Sequence, residues 1–159
     1  MTRAQAAQRY LALAKPINTI FAEPKCKAAE SYLVDGGTWP PDGHPEYGEQ
    51  AYQVLRDCHK RLVPLYQESI VAEQTTAWPV DAEHDVADQI LQDQAFLYYL
   101  TKSSKAASQT AMYKALECFP EDDGSADRVR ARFGLSGRPG RPGLHRRADP
   151  VRAPIAGPI

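Results

Sequence analysis

The stretch Ala51-Tyr52-Gln53-Val54-Leu55-Arg56-Asp57-Cys58-His59-Lys60-Arg61-Leu62-Val63-Pro64-Leu65-Tyr66-Gln67-Glu68-Ser69-Ile70 decides the fold of this chain. Ala51, Val54/Leu55, Cys58, Leu62, Leu65/Tyr66 and Ser69/Ile70 recur every three or four residues, the spacing of one helical face. Pro64 lies inside the run. It removes one backbone hydrogen bond and crowds the carbonyl four residues back, so a bend is expected there. Upstream, Pro45 suits the first position of this helix, and Glu46 and Glu49 suit its positive end.

The same period extends in both directions. Thr2-Arg3-Ala4-Gln5 fits a capping box, and Tyr10, Leu13, Ile17 and Ile20/Phe21 form an apolar face behind it. Pro16 predicts a kink and Pro24 a stronger break, after which Cys26, Ala29 and Leu33 continue the stripe. Asp35-Gly36-Gly37 ends this first helix, and the turn formers of 36–44 make a loop. Downstream, Thr75, Thr76, Trp78 and Pro79 close the second helix, with Asp81 as N-cap of a third. That helix carries Val86, Ile90, Leu97, Leu100/Thr101 and Ser104 on one side. Ser103-Ser104 loosens it before Ala111, Ala115 and Leu116. A short helix follows from Ala126 to Phe133 and stops at Gly134. The class is all-α: an antiparallel helical bundle of three main helices plus a short fourth, spanning 1–135. If the first two helices pair about their connecting loop, Pro16 falls opposite Pro64. Two bent helices then curve around a core, or open a pocket between them at Pro16, Asn18, Pro64 and Tyr66.

Charge divides the chain. Residues 1–127 hold 11 Lys/Arg against 19 Asp/Glu, whereas 128–159 hold eight Arg against Asp149 alone. Residues 136–159 read as a disordered Arg/Pro/Gly-rich tail, too poor in apolar surface to repay its ordering entropy. An anionic polymer or a membrane surface suits it as a partner. Nucleic acid suits it less, because single-strand binders stack bases on aromatics and no aromatic follows Phe133. From Leu62 to Thr101 there is no Lys or Arg. Glu68, Glu73, Asp81, Glu83, Asp85, Asp88 and Asp93 read there as a solvated face, with Asp81, Asp85 and Asp88 as a docking face for the tail.

No catalytic motif stands out: there is no nucleophile elbow, phosphate loop, His-Glu-x-x-His or calcium loop, and no cofactor is called for. Asp81 and His84 are spaced like a metal-ligating pair, but His59 and Glu68 lie out of phase with each other. No metal site is assigned. Cys58 and His59 are neighbours pointing about 100° apart, which disfavours a thiolate–imidazole pair. Cys26 and Cys58 fall on facing stripes within about a turn of level, as a disulfide in an oxidising compartment would require, leaving Cys118 free.

Three short signatures, Tyr10-Leu11 with Pro16-Ile17-Asn18, Trp78-Pro79, and Val129-Arg130-Ala131-Arg132-Phe133-Gly134-Leu135, resemble those of uncharacterised small helical-bundle lipoproteins and secreted proteins of actinobacteria. The resemblance implies a helical bundle, usually exported, and transfers no functional residue. The chain as written has no signal segment and no lipidated N-terminal Cys, which reads as cytoplasmic; the resemblance implies an extracytoplasmic location. The function expected is a non-enzymatic interaction or envelope-associated module. The alternative is a small-ligand or metal-binding bundle using a cleft between the first two helices.

Overall fold

The computed structural model describes residues 1–136, and among these there are six helices and no strand. They are α1 (Arg3–Phe21), α2 (Pro24–Asp35), α3 (Ala51–Thr75), α4 (Glu83–Ser103), α5 (Gln109–Glu117) and α6 (Ser125–Arg132). The expected tail, 136–159, lies outside the described residues apart from Ser136.

Local sequence explains most of the boundaries. The Thr2 hydroxyl accepts from Gln5 N–H at 3.2 Å while the Gln5 carbonyl oxygen takes Thr2 N–H at 2.8 Å, the reciprocal cap that starts α1. α1 runs through Pro16 and stops at Ala22, and Pro24 opens α2 from its first turn. Gly36 and Gly134 end α2 and the α6 segment with φ of 82° and 70°, a region glycine enters without a Cβ clash. The third expected helix is two. The chain breaks after Ser103, where Ser103 and Ser104 turn their hydroxyls back onto Leu100 and Thr101 carbonyls, and Ser108 caps α5.

Two expected starts are corrected. α3 begins at Ala51, not Pro45, because residues 39–49 are held by side-chain contacts of their own. Tyr47 stacks on His44 and Trp39, and the Trp39 indole donates to the Glu49 carbonyl at 2.7 Å. Gln50 then caps the helix. Asp81 does not cap α4, whose N-cap is Ala82; its carboxylate pairs with Arg3 at 2.8 Å.

α3 is the central helix, packed on α1, α2 and α4. Cys26 and Cys58 form a disulfide between α2 and α3, with Cα atoms 6.0 Å apart. One turn away Arg61 grips Glu23 through two guanidinium nitrogens. These contacts run the α1–α2 arm antiparallel to α3, in a register about four residues from the one that levels Pro16 with Pro64. Both prolines lie inside their helices on the exposed side.

Apolar burial divides into two clusters. The larger joins α1 through α5 around Leu62, Tyr66, Phe96, Leu100 and Met112. The smaller joins the ends of α1, α4 and α6 through Ala6, Tyr10, Trp78, Val86, Val129 and Phe133. Phe133 stacks on Trp78 at 5.6 Å and meets Tyr10 edge-on at 5.9 Å. The ground between the clusters is polar.

Candidate functional site

A cavity of about 50 Å³ lies in that polar ground. α1 contributes Tyr10, Ala14, Ile17 and Asn18; α3 contributes Tyr66, Ser69 and Glu73; α4 contributes Gln89 and Asp93; α6 contributes Ala126 and Arg130. Helical periodicity brings them together. Tyr66, Ser69 and Glu73 continue the buried stripe that starts at Ala51, and Gln89 and Asp93 follow Val86 by one and two turns. Two apolar residues of the larger cluster, Ile17 and Tyr66, and one of the smaller, Tyr10, wall in the polar groups.

Glu73 is the centre of this arrangement. It is 3% exposed, near the C-terminal end of α3, where the Trp78 indole donates to its backbone carbonyl at 2.8 Å. Burial pushes its carboxyl up to about 8; the Asp93 charge pushes the same way, and a hydrogen bond from Ser69 opposes them. Near neutral pH Glu73 is therefore a carboxylic acid. Tyr10, 6% exposed, is pushed up to about 12 by burial and then by the charges of Asp93 and Glu73, with Gln89 in hydrogen-bonding reach. Glu73 Oε2 and Gln89 Oε1 are both buried and have no hydrogen-bond partner among the described residues. Native interiors rarely leave such atoms unpaired, so both keep hydrogen-bonding capacity open towards the cavity.

Asn18 and Tyr66 line the cavity; Pro16 and Pro64, read with them from the sequence, are outside its lining and exposed. The sequence places Glu73 and Asp93 on a solvated acidic face, whereas Glu73 is buried. A signal for it was present: Glu73 falls four residues after Ser69 on the inward stripe of α3.

Asp81, Asp85 and Asp88 share one side of the molecule, and arginines cover them. Arg3 meets Asp81, Arg132 meets Asp85 at 2.6 Å, and Arg128 spans Asp85 at 3.5 Å and Asp88 at 3.2 Å. The Arg132 hydrogen bond holds the Asp85 carboxyl below the usual carboxylate range. Arg128 and Arg132 belong to the basic part of the chain, so its first arginines already sit on this face. The arginines after Ser136 lie outside the described residues.

Cys58 is in the disulfide, and Cys118 is free and exposed. His59 is buried, its Nδ1 2.5 Å from Ser103 Oγ, and burial pushes the imidazole down to about 3. His84 is exposed and pairs weakly with Asp88 at 3.8 Å. Among the described residues no group of three or more His, Cys, Asp or Glu is placed to hold a metal ion, and no helix is long and apolar enough to cross a membrane. No protein-family model, curated protein or solved structure matches this chain.

Proposed function

We propose that this chain is a non-enzymatic binding bundle, stapled by Cys26–Cys58, that holds a small polar molecule in the cavity between α1, α3, α4 and α6. The observation that carries this reading is the pair of buried, unpartnered oxygens, Glu73 Oε2 and Gln89 Oε1, beside the polar lining of the cavity. A perturbed acid in an internal cleft is a common mark of a functional site. The cavity is smaller than the roughly 150 Å³ engineered void that admits benzene, so the ligand is limited to a few heavy atoms. The core disulfide favours action in an oxidising compartment, which agrees with the resemblance to exported proteins.

The test is an NMR titration of the oxidised full chain with small polar molecules at millimolar concentration. Shift changes concentrated on Tyr10, Asn18, Glu73 and Gln89 support ligand binding. If no compound moves those residues, the cavity is a hydrated core defect and the reading falls.

An interaction or envelope-associated module is the second reading. Leu91 and Tyr98, seven residues apart on α4, are 65% and 56% exposed and favour a protein contact on that side. Replacing both by Ser while the cavity stays intact separates the two readings in any binding assay.

A further inference from the structure

We propose that the cavity is a site for a small primary ammonium ion, held by the side-chain oxygens of Glu73 and Gln89. The inference rests on the ligand-binding reading above and names the chemistry of its ligand.

With Glu73 ionised its carboxylate only accepts, and the site then selects for hydrogen-bond donors. Gln89 Nε2 lies 3.4 Å from Asp93 Oδ2. The reverse amide orientation would set a carbonyl oxygen against that carboxylate, so the Asp93 charge turns Gln89 Oε1 away from itself. Among the described residues that oxygen has no partner, and neither has Glu73 Oε2. An anion would bring further acceptors to these oxygens and further negative charge to Asp93. Arg130 does not reverse this preference, since its Nε and one terminal nitrogen donate to the Ser136 carbonyl at 3.1 and 2.6 Å. A divalent metal is disfavoured as well, because among the described residues no three His, Cys, Asp or Glu side chains converge to hold one. A primary ammonium presents three donors on one compact charge, and the cavity has room for it with a short alkyl stem.

Charge balance leads to the same ligand. With Glu73 protonated, Arg130 and Asp93 offset each other, and the Tyr10 phenol and Ser69 hydroxyl are neutral. Ionising Glu73 leaves one net negative charge among the described lining residues, which a monovalent cation neutralises. Binding then proceeds as RNH3+ joining the Glu73 carboxyl, with the carboxyl proton leaving to solvent and no covalent bond formed or broken. With the free carboxyl at about 8, close to 0.9 proton leaves per ligand at pH 7. Affinity accordingly rises about tenfold per pH unit between about pH 6 and 8 and levels off above, while the amine stays charged throughout.

The probe is methylammonium chloride, titrated into the oxidised full chain in phosphate and in MOPS, with potassium chloride and acetamide as parallel arms. The readouts are the buffer dependence of the calorimetric heat and the Glu73 side-chain carboxyl 13C shift. The expected result is methylammonium binding with about one proton released at pH 7 and a Glu73 carboxyl that ionises on binding. Gln89→Leu should weaken binding at least tenfold; if that variant does not fold, the carboxyl shift of the parent still decides. An equal response to potassium, or binding with no proton release, overturns the proposal. If acetamide shifts the cavity residues and methylammonium does not, the cavity reading stands and the ammonium assignment fails. If neither does, both fail.

Discussion

Replacing Glu73 by Gln puts the buried carboxyl to a direct test. In the fold this group titrates at about 8, against 4.5 for an unperturbed glutamate. Between those values the folded chain binds more protons than the unfolded one, so stability falls as pH rises, by about 1.4 kcal/mol per unit. Below the unfolded value both states are protonated and the cost is absent. Above the folded value both are ionised, and the cost levels off near 5 kcal/mol. At pH 7 it is about 3 kcal/mol. Gln keeps the shape and cannot ionise, so Glu73→Gln should be more stable than the parent at pH 7 by up to that amount. For a domain of this size this is about 10 °C in melting temperature. His59 complicates the parent profile in the opposite sense. Its imidazole is held at about 3 against 6.5, so its contribution is complete above the unfolded value and is lost as pH falls through it. Between about pH 4.5 and 6.5 the two slopes oppose each other, and above that window only Glu73 acts. The difference between variant and parent isolates Glu73, because His59 is common to both. Urea unfolding followed by circular dichroism at about pH 4, 6, 7 and 8.5 measures that difference. It should be near zero or slightly unfavourable to the variant at the lowest pH and grow to its full value at the highest. A difference that stays constant across the series would refute the buried-acid assignment.

Other outcomes follow from the same contacts. Cys26→Ser with Cys58→Ser opens a loop of sequence separation 32 and should cost about 3–4 kcal/mol on the chain-entropy account, read as a fall in melting temperature that reductant reproduces in the parent. Trp78→Phe retains a ring against Phe133 but loses the indole bond to the Glu73 carbonyl, and urea unfolding should show a loss of about 1 kcal/mol. Asp85→Asn should lower the melting temperature at neutral pH and leave it unchanged in strong acid. The folded Asp85 pKa is depressed by Arg132, so its stabilisation is present above the unfolded value and is lost as pH falls through the folded one.

Sequence alone determined the class and most of the helix ends, because these depend on interactions within a few residues. The Thr2–Gln5 box, Pro24, Gly36 and Gly134 act through their own backbone geometry and need no distant partner. Cys26 and Cys58 could be paired because two 3.6-residue stripes on antiparallel helices meet at a level that the intervening loop constrains. Tertiary structure alone decided that α3 starts at Ala51, since Trp39, His44 and Tyr47 stabilise an irregular segment through contacts that no local pattern announces. It also decided the fate of the charges. Glu73, Asp85 and Asp88 carry the same formal charge and lie close in the chain. Yet Glu73 is buried near the Asp93 charge, while Asp85 and Asp88 meet arginines 40 or more residues away. Whether a carboxyl is solvated, paired or protonated depends on its desolvation and on which charges lie within a few ångströms. Both are set by the packing of helices far apart in sequence.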